Sequence, residues 1–153
     1  MRHGGMAAAL CLLAASAGSR AWAADPPRYV AGPASGYQYD CEQAKQPVPR
    51  VAALVTEVAD LDGDGKPEHV IDSSKGCAAV RALYCNEVEG CTIRVFLSRW
   101  SGLAERFKAR SWAVDRTTRP ATLSVVTGGR ECGDAPTCTL ALGWTGERLQ
   151  QLR

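Results

Sequence analysis

Histidine is almost missing from this chain. Of 153 residues only His3 and His69 carry an imidazole, and His3 lies in the first few positions. A Ser-His-Asp or Cys-His set would have to be built around His69 alone, which argues against hydrolytic machinery of that kind. The one Gly-Gly run, Thr127-Gly128-Gly129-Arg130, is short and has no lysine, so it reads as a turn rather than a phosphate-binding loop. Apolar runs long enough to span a bilayer are missing after the amino terminus. A charge excess is missing too. The 18 basic residues fall to 16 once Arg2 and Arg20 leave with an amino-terminal leader, against 16 acidic ones. A neutral remainder offers no electrostatic case for nucleic acid or an anionic membrane.

The leader is expected over Met1 to Ala23. Arg2 and His3 give a short polar start, and Met6 to Ala17 forms an apolar stretch too short for a membrane span. Ala21-Trp22-Ala23 then supplies the small residues that a signal peptidase requires. A lipoprotein reading would use Cys11, but Leu10 stands where a lipobox needs a small residue. The remaining chain of roughly 130 residues is expected to be an exported, soluble single domain, periplasmic or secreted.

Six cysteines remain without Cys11: Cys41, Cys77, Cys85, Cys91, Cys132 and Cys138. An even count in an exported chain points to three disulfides, among fifteen possible pairings. Zinc would call for close cysteine pairs or histidine partners, and the sequence has neither. A free nucleophilic cysteine would leave an odd number to pair. Glu87 and Glu89 are spaced for acid–base work, but they read more simply as the solvated face of a loop between Cys85 and Cys91.

The pattern along the chain is that of an all-β or β-dominated domain of antiparallel hairpins. Positions 24–50, rich in Pro, Gly and Tyr, are expected to form an extended arm with at most a helical turn near Asp40 to Ala44. The β domain then covers 51–153. Val51 to Val58 begins a strand, His69-Val70-Ile71 a second, and an Asp-Gly-rich turn between them marks a hairpin. Pro67 fits only at the edge of the second strand or before it. Ile93, Val95 and Leu97 alternate with Arg94, Phe96 and Ser98, the period of a strand. Thr122 to Val126 and Thr139 to Leu142 read likewise, and Cys77 to Leu83 suits a short helical turn.

The second half echoes itself. Cys85-x5-Cys91 leads to Thr92-Ile93-Arg94-Val95, Trp100-Ser101-Gly102 and Arg106-Phe107. Cys132-x5-Cys138 leads to Thr139-Leu140-Ala141-Leu142, Trp144-Thr145-Gly146 and Arg148-Leu149. Two related hairpins follow from this, each closed by its own disulfide. Cys85–Cys91 and Cys132–Cys138 are then the expected pairs, which leaves Cys41–Cys77.

The most telling segment is Asp60-Leu61-Asp62-Gly63-Asp64-Gly65-Lys66-Pro67-Glu68. Carboxylates at alternate places with interleaved glycines let a tight loop turn several oxygens inward, as a hard cation such as Ca²⁺ requires. Asp60, Asp62, Asp64 and Glu68 are the candidate side-chain ligands, with the Lys66 carbonyl between them. The plainer alternative is a hairpin tip of good turn formers with solvated carboxylates. An EF-hand would place a bidentate Glu where Ile71 stands, so the loop is not an ordinary EF-hand.

The loop resembles the D-x-D-G-D-G-x-x-D loop of FG-GAP and VCBS-type repeats, over Val58 to Ile71 and with Glu68 in place of the last Asp. The resemblance implies a Ca²⁺ ion between two β-strands, held by Asp60, Asp62, Asp64 and Glu68. With a single copy present, neither a propeller nor adhesive roles carry over. The chain as a whole looks like small exported bacterial proteins built around one such loop. A structural rather than catalytic ion is the expectation. The rival is a binding module for a protein or glycan partner, such as a hydrolase inhibitor. Its contact face would draw on Trp100, Trp112 and Trp144 with Arg99, Arg106, Arg110, Arg116 and Arg119, unless the tryptophans merely lid the core.

Overall fold

The computed structural model describes residues 25–152, so the leader over Met1 to Ala23 and Cys11 lie outside the described residues. Two antiparallel sheets dominate. The first holds β1 (Val55–Val58), β2 (Glu68–Asp72), β4 (Gly90–Leu97), β5 (Gly102–Ala109) and the two-residue β3 (Cys85–Asn86). The second has the order β6 (Ser111–Asp115), β7 (Thr122–Gly128), β8 (Thr137–Trp144) and β9 (Leu149–Gln151). The fold is therefore β-dominated and antiparallel, as the alternating pattern implies.

The stretch expected as an extended arm is instead mostly helix. α1 runs Arg28–Gln43 and contains Pro33, leaving only 25–27 before it and the turn and open stretch over 44–50 after it outside regular structure. Gly32, Pro33 and Gly36 all disfavour a helix locally. Packing decides otherwise: Val30, Ala34, Tyr37 and Cys41 recur on one face and are fully buried. Tertiary burial of such a stripe supplies most of a helix's stability. Val51–Leu54, expected as the start of a strand, is a single helical turn, α2, ahead of β1. α3 spans Ala78–Tyr84, close to the turn expected there.

These helices cover one face of the first sheet, and the second sheet covers the other. Strand alternation feeds both layers. Val70 of β2 and Ile93, Val95 and Leu97 of β4 pack between the sheets with Leu123, Val125, Leu140 and Leu142. Ile71 and Phe96 point the opposite way, onto Val30, Ala34, Tyr37, Leu54 and Val80. Disulfides join Cys41 to Cys77, Cys85 to Cys91 and Cys132 to Cys138. The first ties α1 to the segment leading into α3. Each of the others closes the loop before a hairpin, β4–β5 or β8–β9, so the sequence echo corresponds to two similar units.

Candidate metal centre

β1 and β2 pair with Val55 opposite Ile71 and Val58 opposite Glu68, and the acidic loop is their connection. Leu61 sits inside that loop and is fully buried between the sheets. The plug fixes the loop against the core while Asp60 and Asp62 flank it. Gly63 and Gly65 adopt φ of +77° and +84°, the left-handed region that only glycine enters at no cost. Pro67 precedes β2 without entering it.

Main-chain N–H groups then turn the carboxylates inward. The two oxygens of Asp60 accept from Gly63 N at 2.6 Å and Gly65 N at 2.9 Å. Asp62 Oδ1 accepts from Asp64 N at 3.0 Å, and Asp64 Oδ1 from Lys66 N at 2.9 Å. One ligand oxygen from each of Asp60, Asp62, Asp64 and Glu68 lies within 4.8 Å of the others. Oxygens sharing a Ca²⁺ ion at 2.3–2.6 Å can stand no further apart than about 5.2 Å, so a single ion fits the span. The donor set is all oxygen, which suits a hard cation. Lys66 contributes its N–H inside the loop, and its side chain lines a neighbouring cleft.

Two further residues belong to the centre, both from the turn after β4. Ser98 donates its N–H to Glu68 Oε2 and its hydroxyl to Asp64 Oδ2 at 2.9 Å. Arg99 reaches Asp62 Oδ2 with Nε at 3.2 Å. More than thirty positions separate Ser98 and Arg99 from the aspartates they touch, and no local pattern marks them in the sequence.

Glu68 is the electrostatic anomaly. Its side chain is 0% exposed. Burial first, and then the charges of Asp62 and Asp64, push its carboxyl up to about 7 despite the Ser98 hydrogen bonds. Among the described residues the only cation paired to the cluster is Arg99, and it pairs with Asp62. For Asp64, burial works upward, but the Lys66 and Ser98 hydrogen bonds and the Lys66 and Arg99 charges together hold the carboxyl below its ordinary value.

His69 follows Glu68 and points to the helical side of the sheet. It lies in a cleft of about 590 Å³ with Tyr29, Pro67 and Ser98. Burial lowers its pKa, and Glu57, 3.9 Å away, offsets part of that shift. The structure gives different contacts to the three tryptophans. Trp100 and Trp144 meet edge to face with ring centres 5.4 Å apart, and Arg99 lies over Trp144 at 5.9 Å. Trp112 lies on β6 and donates Nε1 to Asp72 Oδ2 at 2.9 Å. Of the arginines grouped with them, Arg116 and Arg119 line a shallow cleft beside Asp60 and Gly63, and Arg110 binds the Glu87 and Val88 carbonyls.

Comparison with protein-family models, with curated proteins and with solved structures found no match.

Proposed function

We propose that this protein is an exported, non-catalytic domain that binds Ca²⁺ in the Asp60–Glu68 loop, where the ion serves a structural role. The observation that carries this reading is a fully buried Glu68 carboxylate beside Asp62 and Asp64, with no cation paired to it among the described residues. Buried charges in folded proteins are paired or coordinate a metal. A bound Ca²⁺ would supply that counter-charge, with Asp60, Asp62, Asp64, Glu68 and the Lys66 carbonyl as ligands. The loop joins two strands and leans on Ser98, Arg99 and the core through Leu61. Fixing it holds β1 and β2 in register and secures the neighbouring turn, which is a structural task. Three disulfides support an oxidising, exported setting.

Calorimetric titration of Ca²⁺ into oxidised, chelator-stripped protein tests this reading. Saturable binding, weaker for Mg²⁺ and lost in an Asp62→Ala/Asp64→Ala variant, is the expected result. Affinity should be on the order of 10⁻⁴ to 10⁻³ M, as in extracellular modules. No heat and no rise in melting temperature at millimolar Ca²⁺ would reduce the loop to a turn. One observation favours a second reading, a binding module for a protein or glycan: Trp100 is 48% exposed beside Trp144. Trp100→Ala leaving stability unchanged while abolishing capture of an envelope partner would support it.

A further inference from the structure

His69 makes no hydrogen bond through either ring nitrogen among the described residues. Its Nδ1 is buried without a partner. Its Nε2 is turned toward Glu57, whose Oε2 stands 3.9 Å away, beyond hydrogen-bond distance. The sheet sets that separation, because Glu57 and His69 are register partners on β1 and β2. Tyr29 of α1 meets the imidazole edge to face, ring centres 6.2 Å apart, and steadies it from the helical side. Unlike Nδ1, Nε2 is not closed off: His69 and Glu57 both line the cleft of about 590 Å³.

A buried N–H without an acceptor is rarer in folded proteins than a buried acceptor short of a donor. The neutral ring therefore keeps its lone pair on Nδ1 and its proton on Nε2, next to the Glu57 carboxylate. Nε2–H and Glu57 Oε2 then form a donor and an acceptor 3.9 Å apart. One oxygen about 2.8 Å from each closes the triangle at about 90°. That oxygen must accept from the imidazole and donate to the carboxylate, as a hydroxyl does. An ammonium cannot accept, and a carboxylate cannot donate.

We propose that this cleft binds a neutral sugar, one hydroxyl of which bridges His69 Nε2 and Glu57. The charged groups on its wall are Asp25, Glu57 and Lys66, all exposed. Two acids against one base disfavour an acidic sugar or a phosphate. Carboxylates that accept and an ammonium that donates are the mixture that several hydroxyls on one ring call for. Pro27, Val55 and Pro67 add an apolar wall for the C–H face of a pyranose. The volume lies within the roughly 300–1,000 Å³ of small-molecule sites. Neither the loop carboxylates nor the tryptophans take part, so the site is independent of the ion.

The test is two-dimensional NMR of oxidised, isotope-labelled protein titrated with glucose, galactose and N-acetylglucosamine, once with chelator and once with millimolar Ca²⁺. At pH 8 an ordinary imidazole is neutral. Saturable shifts of the Tyr29, Glu57 and His69 signals with at least one sugar, in either condition, are expected. A long-range ¹H–¹⁵N spectrum of the imidazole should show its proton on Nε2. Glu57→Ala, a change at an exposed position, should weaken binding about tenfold or more, the loss of one charge-assisted hydrogen bond. His69→Phe keeps a ring against Tyr29 and should abolish binding while the circular dichroism spectrum stays native. Glycerol sets the background. The proposal is overturned by no saturable shift up to about 50 mM, well past a millimolar dissociation constant, by equal shifts with glycerol, by unchanged binding in Glu57→Ala, or by a proton on Nδ1. Shifts with butylammonium chloride and with no sugar would also overturn it and make the cleft a cation site.

Discussion

Removing the charge at Glu68 should make the metal-free protein more stable at neutral and alkaline pH. The native carboxyl titrates at about 7, against an ordinary value of 4.5. Between those values the folded state holds a proton that the unfolded chain has lost. Stability of the stripped protein is therefore full below about 4.5 and declines as pH rises through 7. At 1.36 kcal/mol per unit, the rise from 4.5 to about 7 sets an upper bound of about 3 kcal/mol. On a domain of this size that is about 10 °C in melting temperature. His69 works the other way: its lowered pKa makes stability rise with pH toward 6.5. The comparison with Glu68→Gln removes this term, because both proteins keep His69. Urea denaturation of chelator-stripped protein at pH 5 and pH 8 is the assay. The native protein should lose up to about 2.5 kcal/mol more than Glu68→Gln across that interval, because part of the change falls below pH 5. Millimolar Ca²⁺ should restore the loss at pH 8 for the native protein and do little for the variant. Identical pH profiles for the two would refute the electrostatic reasoning, and with it the main support for the ion.

The disulfides should differ in worth. Chain-entropy estimates give about 4 kcal/mol for Cys41–Cys77, which spans 36 positions, and about 2 kcal/mol for each link that spans 6. Paired Cys→Ala variants in urea would measure this, and equal losses would contradict it. Gly63→Ala should cost about 1–2 kcal/mol and weaken Ca²⁺ binding, because its φ is +77° and a Cβ there meets Pro120 at 3.2 Å. Gly65→Ala, equally left-handed but facing open space, should cost less, and thermal melts of the two variants decide the order. Tyr37→Phe should leave stability unchanged or raised, since the hydroxyl it removes is buried with no partner among the described residues. A loss above about 1 kcal/mol in denaturation would refute this.

The β1–β2 hairpin and its acidic turn were legible because everything that specifies them is local: alternation on both sides, glycines at left-handed positions, and Pro67 at the strand entrance. The disulfide-closed loops before β4 and β8 were legible through the repeated spacing. Helix α1 was not, because Gly32, Pro33 and Gly36 speak locally against it while its buried stripe gains its value only from a sheet formed later in the chain. Ser98 and Arg99 escaped for a related reason. They reach the aspartates through the pairing of β2 with β4, which no short window of sequence contains. The hydrogen bond from Trp112 on β6 to Asp72 was likewise invisible in the sequence, because forty positions separate the two residues.

Leu61 makes the acidic loop a poor candidate for transplantation. Its side chain fills part of the space between the sheets, so the nine residues do not form a self-sufficient cassette. Grafted onto another hairpin without a matching socket, the same carboxylates would lose the anchor that sets their spacing, and the exposed leucine would invite association instead. A recipient scaffold would have to offer the cavity before it could inherit the ligands.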